Sequence, residues 1–320
     1  MLTEVRTWLD RRTSRAEDWD VEALLRAKRG QRVSVVLPAR NESATVGGIV
    51  AAIRTALCET VPLVDEIIVI DSRSTDDTAG VAAEAGAAVY HQDAVRADLP
   101  AGSGKGEALW KSLFVATGDV LVFVDADLTA FRPGYVTGLL GPLLTDPALA
   151  YVKACYDRPL AGSAGPAFDG GRVTELVARP LLNQYWPRLA GFVQPLSGEY
   201  AGRGDVLRRV PFVSHYGVEL ALLIDLLDEV GLDALAQVDL GEREHTHQST
   251  ADLGVMAAQI QHTARLRLAR SGRLTDDGSA GTELVQYTRG ADGKGGYRPL
   301  SRDTAISERP PVASLQPELV

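Results

Sequence analysis

Between positions 32 and 127 the apolar residues come in short β-branched runs, each followed by a polar, turn-forming junction and then an alanine-rich stretch. Runs that are apolar at successive positions predict strands buried on both faces. Strands alternating with helices predict a parallel sheet with helices on either side. The first strand is expected over 33–37 and a helix over 44–57. A second strand follows over 66–70, and Thr75-Asp76-Asp77-Thr78 opens an alanine-rich helix. A short strand over 88–90, a helix over 107–116 and a strand over 120–124 complete a doubly wound α/β half of the nucleotide-binding kind.

After position 150 the pattern is less regular. A strand over 150–154 precedes a glycine-rich loop at 168–172 and a helix from 173 towards 186. A strongly apolar helix over 218–227 leads to a strand over 236–239, and another helix is expected over 253–270. The remainder, rich in Gly, Ser and Asp and containing Glu308-Arg309-Pro310-Pro311, reads as poorly ordered. No internal repeat is visible.

Composition narrows the class. The 320 residues are 45% apolar and 23% charged, enough for one large core or two modest ones. A formal charge of −9 argues against dependence on nonspecific nucleic-acid or anionic-membrane binding, so an anionic substrate would need a local basic pocket. Cys58 and Cys155 lie far apart without metal-like spacing and read as reduced thiols. The first residues lack the apolar stretch of a signal peptide, and no uninterrupted span of about 20 apolar residues follows. A cytoplasmic protein with no membrane segment is expected.

The candidate chemistry begins where the 120–124 strand meets the surface, at Asp125-Ala126-Asp127. Two carboxylates at this spacing can share a divalent cation and, through it, a nucleotide diphosphate, although Asp-x-Asp at a strand end is also a common solvated turn. Lys105 sits between Gly104 and Gly106, where a phosphate can approach closely. Gly106 stands where a P-loop has Ser or Thr, which disfavours a nucleoside triphosphatase. Gly171, Arg172 and Thr174 open a helix, so backbone N–H groups, a guanidinium and a hydroxyl could converge on one phosphate; the same residues also make an ordinary helix entry. Glu219 in a first helical turn complements the helix dipole whatever else it does.

Three motifs in order, Val35-Val36-Leu37-Pro38-Ala39-Arg40-Asn41-Glu42, then Ile70-Asp71-Ser72-Arg73-Ser74-Thr75-Asp76-Asp77-Thr78, then Val124-Asp125-Ala126-Asp127, resemble the GT-A nucleotide-sugar glycosyltransferases. Gly104-Lys105-Gly106-Glu107, the 170–180 segment, Gln194-Pro195-Leu196-Ser197-Gly198-Glu199-Tyr200, Tyr216-Gly217-Val218-Glu219 and the 236–241 segment narrow the likeness. Together they resemble the retaining glucosyl-3-phosphoglycerate synthases of actinobacteria and the neighbouring mannosyl-3-phosphoglycerate synthases. The resemblance runs from about position 32 to 270. It implies a GT-A fold, a doubly wound, mostly parallel α/β sheet with a nucleotide-sugar-binding half over 31–150 and an acceptor-binding, metal-completing half over 151–272; outside the resemblance, the chain reads as an N-terminal helical extension over 1–30 and a poorly ordered tail over 273–320.

The resemblance also implies roles. Pro38, Ala39, Arg40, Asn41, Glu42 and Ser72 would hold the uridine, with Lys105, Asp125, Ala126, Tyr216, Gly217, Val218 and Glu219 completing the nucleotide-sugar site. Asp127 and His245 would hold Mg²⁺ or Mn²⁺, a carboxylate and imidazole pair suited to either, with the histidine favouring manganese. Gly171, Arg172, Val173, Thr174 and His247 would take 3-phosphoglycerate. Lys105, Asp127 and Glu219 would carry the chemistry, Glu219 by orienting sugar hydroxyls rather than as a nucleophile. The implied partners are UDP-glucose, or GDP-mannose in the neighbouring branch, and 3-phosphoglycerate, with no nucleic acid or membrane and with a homodimer as the expected assembly. Three other readings fit less well. A sugar nucleotidyltransferase would want a glycine-rich loop where 38–42 stands, a polyprenyl-phosphate glycosyltransferase would want a membrane-facing segment, and a silent nucleotide-sugar-binding protein would not need Lys105, Asp127, Glu219 and His245 together.

Overall fold

The apolar runs form strands. The computed structural model describes residues 1–157, 171–242, 249–275, 278, 280–289 and 297–315. Its strands are β1 (Thr13–Arg15), β2 (Val33–Ala39), β3 (Glu66–Asp71), β4 (Ala88–His91), β5 (Val120–Phe123), β6 (Tyr151–Asp157), β7 (Tyr200–Arg203), β8 (Phe212–Val213), β9 (Leu235–Glu242), β10 (Glu283–Arg289), β11 (Tyr297–Asp303) and β12 (Glu308–Arg309). Eight of them make one sheet in the order β1-β9-β6-β7-β5-β2-β3-β4. β7 runs antiparallel to both neighbours, and the other pairings in this sheet are parallel.

Successive residues of β2 serve opposite faces, as the pleat requires. Val35 and Leu37 pack with the helix Val46–Ile53 and the helix Gly134–Thr145, while Val36 joins Phe123, Trp110 and the helix Val218–Val230 on the other face. Both faces are therefore buried, which is why the strand is apolar at every position but Ser34, whose hydroxyl donates to Glu66. Register then aligns the functional ends: Ala39 pairs with Asp71, and Val36 with Phe123, so β2, β3 and β5 end side by side at their carboxyl ends.

Beyond the unexpected strands β7 and β8, three departures from the pattern-based expectations have a visible cause. The N-terminal extension is not wholly helical, because β1 within it adds a parallel edge strand beside β9. The helix Gly134–Thr145 contains Gly138, Gly141 and Pro142, residues that weaken its sequence signal. Its glycines let the extension pack closely: a Cβ on Gly141 would lie 2.1 Å from Trp19 Cδ2.

The third departure is the tail. Where poor order was expected, β10 and β11 pair as an antiparallel hairpin and β12 pairs with β8. Ion pairs and one fully buried apolar residue, Val312, hold this segment, and neither has a periodicity visible along the chain. Among the described residues no helix is long and apolar enough to cross a membrane.

Candidate active site

The loops after β2, β3 and β5 are tied to one another. Asn41 adopts a left-handed conformation, φ 59°, that asparagine tolerates better than most residues. Its side-chain oxygen accepts from the Thr75 N–H at 2.7 Å, and its own N–H donates to Ser74 Oγ at 3.0 Å. The Glu42 N–H donates to Thr78 Oγ1 at 2.8 Å, and Thr45 Oγ1 donates to the Ala126 carbonyl at 2.6 Å. Asn41 thus joins loops rather than capping the following helix. Ser72 bonds to the Ala39 carbonyl through its N–H and donates to Gln92 Oε1 at 3.0 Å through its hydroxyl.

The two arginines that stand out in these loops differ in setting. Arg40 is exposed. Arg73, at φ 59°, forks onto Asp93 at 2.7 and 2.8 Å and donates to the Gly102 carbonyl at 3.1 Å. Gln92 donates to the same carbonyl at 3.2 Å, so the loop that leads to Lys105 is anchored to the loop after β3.

Lys105 begins the helix Lys105–Val115 instead of lying on a free loop. Its ammonium donates to Asp125 Oδ1 at 2.5 Å and lies 3.0 Å from Glu219 Oε1, with all three side chains mostly buried. Burial works against the charge on Lys105, but the two carboxylates outweigh it and hold its pKa well above the ordinary lysine value. Glycines permit this convergence. A Cβ on Gly198 would lie 2.1 Å from Asp125 Oδ2, and one on Gly106 would lie 1.8 Å from the Val213 carbonyl.

Beneath these groups is a polar layer that the sequence reading did not single out. Lys153 is fully buried in β6, donates to the Tyr151 hydroxyl at 3.3 Å and lies 5.1 Å from the Tyr200 ring centroid. Burial lowers its pKa to about 8, against the opposing pull of Glu219. Burial likewise raises the hydroxyls of Tyr151 and Tyr200 well above the usual tyrosine value. Glu199 accepts from the Tyr156 hydroxyl at 2.9 Å. The available signal was a lysine within an otherwise apolar strand.

Glu42, Asp125 and Asp127 crowd the mouth of the site. Asp127 is exposed, and the Glu42 pKa is raised to about 7, first by burial and then by Asp127 and Asp125. Carboxylate oxygens such as those of Asp125 and Asp127 are the donor type that a hard divalent cation takes. His245 and His247 lie outside the described residues, just beyond β9. Among the described residues no group of three or more His, Cys, Asp or Glu side chains is placed to hold a metal.

On the other side, Gly171 takes φ 94° and its carbonyl accepts from the Glu175 N–H at 3.1 Å, opening the expected helix. The first part, Thr174–Ala178, is wound as a π-helix before the α-helix Arg179–Tyr185. Pro180 has no N–H to close an α-turn there, which accounts for the wider winding. Arg172 is exposed and donates to Thr250 Oγ1 at 3.2 Å, while Val173 and Thr174 are buried. Tyr216 is partly exposed, and Gly217 and Val218 are buried; Gly217 lies against Thr263, where a Cβ would come within 2.0 Å of the hydroxyl.

Residues 34–166 match the family model of glycosyl transferase family 2. The glucosyl-3-phosphoglycerate synthase of Mycolicibacterium smegmatis is 45% identical over 97% of this chain and 98% of its own length. That of Mycolicibacterium paratuberculosis is 44% identical over 97% and 93%. Among solved structures, mannosyl-3-phosphoglycerate synthase from Rubrobacter xylanophilus superposes with a TM-score of 0.89 at 40% identity over 98% of both chains. Glucosyl-3-phosphoglycerate synthase from Mycobacterium tuberculosis, solved with Mn²⁺, UDP and phosphoglyceric acid, gives 0.81 at 42% identity, covering 93% of this chain and 96% of that one. With its GT-A architecture and this likeness along nearly its whole length, the chain belongs to the glucosyl-3-phosphoglycerate synthase family of glycosyltransferases.

Proposed function

We propose that this protein transfers glucose from UDP-glucose to the 2-hydroxyl of 3-phosphoglycerate with retention of configuration, forming glucosyl-3-phosphoglycerate. The observation that carries this reading is the buried ammonium of Lys105 shared by Asp125 and Glu219 beside the aligned ends of β2, β3 and β5. Nucleotides bind outside the carboxyl ends of such strands. The Mycobacterium tuberculosis relative, matched over 96% of its own chain and solved with UDP-glucose and with UDP and glucosyl-3-phosphoglycerate, supports the donor and the product.

In this reading the linked loops of Asn41, Glu42 and Ser72 form a preassembled cradle for the nucleoside. Lys105 uses two of its three donors on carboxylates and has a third for a phosphate oxygen, so positive charge stands ready where negative charge grows as the nucleoside diphosphate departs. Glu219, fixed by Lys105, accepts from sugar hydroxyls and orients the anomeric carbon, with attack and departure on the same face. Gly171, Arg172 and Thr174 receive the acceptor's phosphate and carboxylate, and His247 serves the same substrate. Asp127, with His245, would hold Mg²⁺ or Mn²⁺, for which relatives solved with UDP and either ion provide support. When bound, that ion supplies further charge stabilisation to the leaving diphosphate. The free thiols Cys58 and Cys155 support a cytoplasmic setting.

The test is to incubate the purified protein with 3-phosphoglycerate and Mg²⁺ or Mn²⁺, offering UDP-glucose and GDP-mannose in parallel, with a chelator control and mass-spectrometric detection. A metal-dependent hexosyl-phosphoglycerate from UDP-glucose is expected. The likeness to the Rubrobacter xylanophilus mannosyl enzyme makes GDP-mannose the specific second reading, and preference for it would move the protein to that branch. No product from either donor would overturn the acceptor.

A further inference from the structure

The described end of the chain grips both helices that carry the Lys105–Glu219 pair. β12 pairs antiparallel with β8, Glu308 opposite Val213 and Arg309 opposite Phe212. The pairing continues through the Ser214 N–H to the Ser307 carbonyl and the Ser307 N–H to Ser214 Oγ, both at 2.8 Å. β8 leads directly into the Tyr216-Gly217-Val218-Glu219 turn.

The two residues of β12 then reach in different directions. Arg309 forks onto Glu107 at 2.6 and 2.8 Å, and Glu107, 2% exposed, lies in the same helical turn as Lys105. The Arg309 guanidinium also donates to the Pro100 carbonyl and lies 5.0 Å from the Trp110 ring centroid. Trp110 Nε1 donates to the Pro310 carbonyl at 2.8 Å. Glu308 accepts from Arg267 and Arg270, and Arg267 forks onto Asp225 of the Glu219 helix at 2.7 and 2.6 Å. Neighbouring residues of one strand are therefore linked to the helix that begins with Lys105 and to the helix that presents Glu219.

Simple surface attachment does not require this arrangement. Glu107 and Arg267 are among the most buried charged residues; Glu107 without Arg309 would be a costly uncompensated charge, and Arg267 is held by Asp225 and Glu308 together. Gly102 closes over the first pair, where a Cβ would lie 2.4 Å from Glu107 Oε2 and 2.9 Å from an Arg309 nitrogen. The loop leading to Lys105 is thereby fixed from the tail as well as from Arg73 and Gln92.

We infer that residues 307–313 form a strap that sets the spacing of Lys105 and Glu219, and that Arg309 is a positioning residue for glycosyl transfer through its grip on Glu107. The kinetic consequence rests on the function proposed above; the structural one does not. The strap bonds directly to the ends of the Lys105–Glu219 unit and meets the loop of Ser72 at second hand, through the 100–102 segment that Arg73 and Gln92 hold. Loosening it should therefore lower the rate of transfer more than the binding of donor.

The experiment compares full-length wild type with Arg309→Gln, Arg309→Lys and, as a control on an exposed tail ion pair, Arg302→Ala. For Arg309→Gln a fall of about 10- to 100-fold in kcat is expected, with KM for donor and acceptor within about two-fold of wild type and UDP–Mn²⁺ binding unchanged. Arg309→Lys should recover part of kcat, and Arg302→Ala should match wild type. Hydrogen exchange should show lost protection in Arg309→Gln over 100–110 and 212–219, with the Val46–Ile53 helix unaffected. Wild-type kcat and exchange in Arg309→Gln would overturn the strap, as would equal loss of protection throughout the molecule. If wild type itself makes no product, the function fails separately, and the exchange pattern alone decides whether the strap holds those segments.

Discussion

Lys105 Nζ lies 3.0 Å from Glu219 Oε1, joining the first turns of two helices from different halves of the chain. A carboxylate suits a helix N-terminus, whereas an ammonium there faces the positive end of the dipole. Lys105 is held in that unfavourable place by Glu219 and Asp125 together. A cation kept there by anions, beside the expected diphosphate site, is prearranged for charge that develops during transfer.

Replacing Lys105 by Met should lower kcat by about 10²- to 10³-fold, the scale for loss of one preorganised charge-stabilising donor. KM for 3-phosphoglycerate should change little. Glu219→Gln, which keeps the shape but weakens the pairing with Lys105, should lower kcat less. Steady-state kinetics with both substrates varied checks the ordering; a Lys105→Met enzyme with wild-type kcat would remove Lys105 from the chemistry.

Gly198 has no side-chain chemistry of its own, yet an added methyl would lie 2.1 Å from Asp125 Oδ2 and 2.5 Å from its Cγ. Gly198→Ala should displace Asp125 from Lys105 and reduce turnover by at least about ten-fold, with a stability cost of about 1–3 kcal/mol. Thermal denaturation and kinetics together test this. Unchanged kcat in the folded variant would show that the Asp125–Lys105 contact is dispensable.

Lys153 gives a pH signature. Its folded-state pKa of about 8 is below the ordinary 10.5, so between pH 8 and 10 the unfolded chain holds more protons and stability rises with pH by at most about 1.4 kcal/mol per unit. The contribution is present above the unfolded value and is lost as pH falls through 8. Above pH 10, Tyr151 and Tyr200 act in the opposite sense, because their hydroxyls stay protonated in the fold after those of the unfolded chain have ionised. Denaturant titrations of wild type and Lys153→Met from pH 7 to 10 should differ in slope over that window. Equal slopes would contradict the buried lysine's titration.

Asp127→Asn should weaken Mn²⁺ binding by at least about ten-fold and remove metal-dependent turnover while leaving the fold intact, because Asp127 is exposed and supports no core packing. Calorimetric titration with Mn²⁺ and UDP, alongside circular dichroism, separates the two effects. Wild-type metal affinity would remove Asp127 from the ligand set.

The strands of the first half were legible because each is apolar at consecutive positions and ends in a turn-forming junction. Observed β2, β3 and β5 fall within about two residues of expectation. The Lys105–Asp125–Glu219 cluster was legible only as three separate motifs, since no periodicity reports which loops meet across a sheet. Lys153 was visible as a charge within an apolar strand, but its meaning depends on the tyrosines of β6 and β7 closing around it. The tail was misread for a physical reason: β10 and β11 expose much of their surface, and Arg309 is held by one buried carboxylate far back in the chain.

The most direct measurement is the proton NMR spectrum of product purified from a reaction containing UDP-glucose, 3-phosphoglycerate and Mn²⁺. An α-linked glucose on the 2-oxygen of phosphoglycerate is expected, the donor's configuration having been retained. A β-linked sugar, attachment at another position, or glucose released without any phosphoglycerate conjugate would contradict the account.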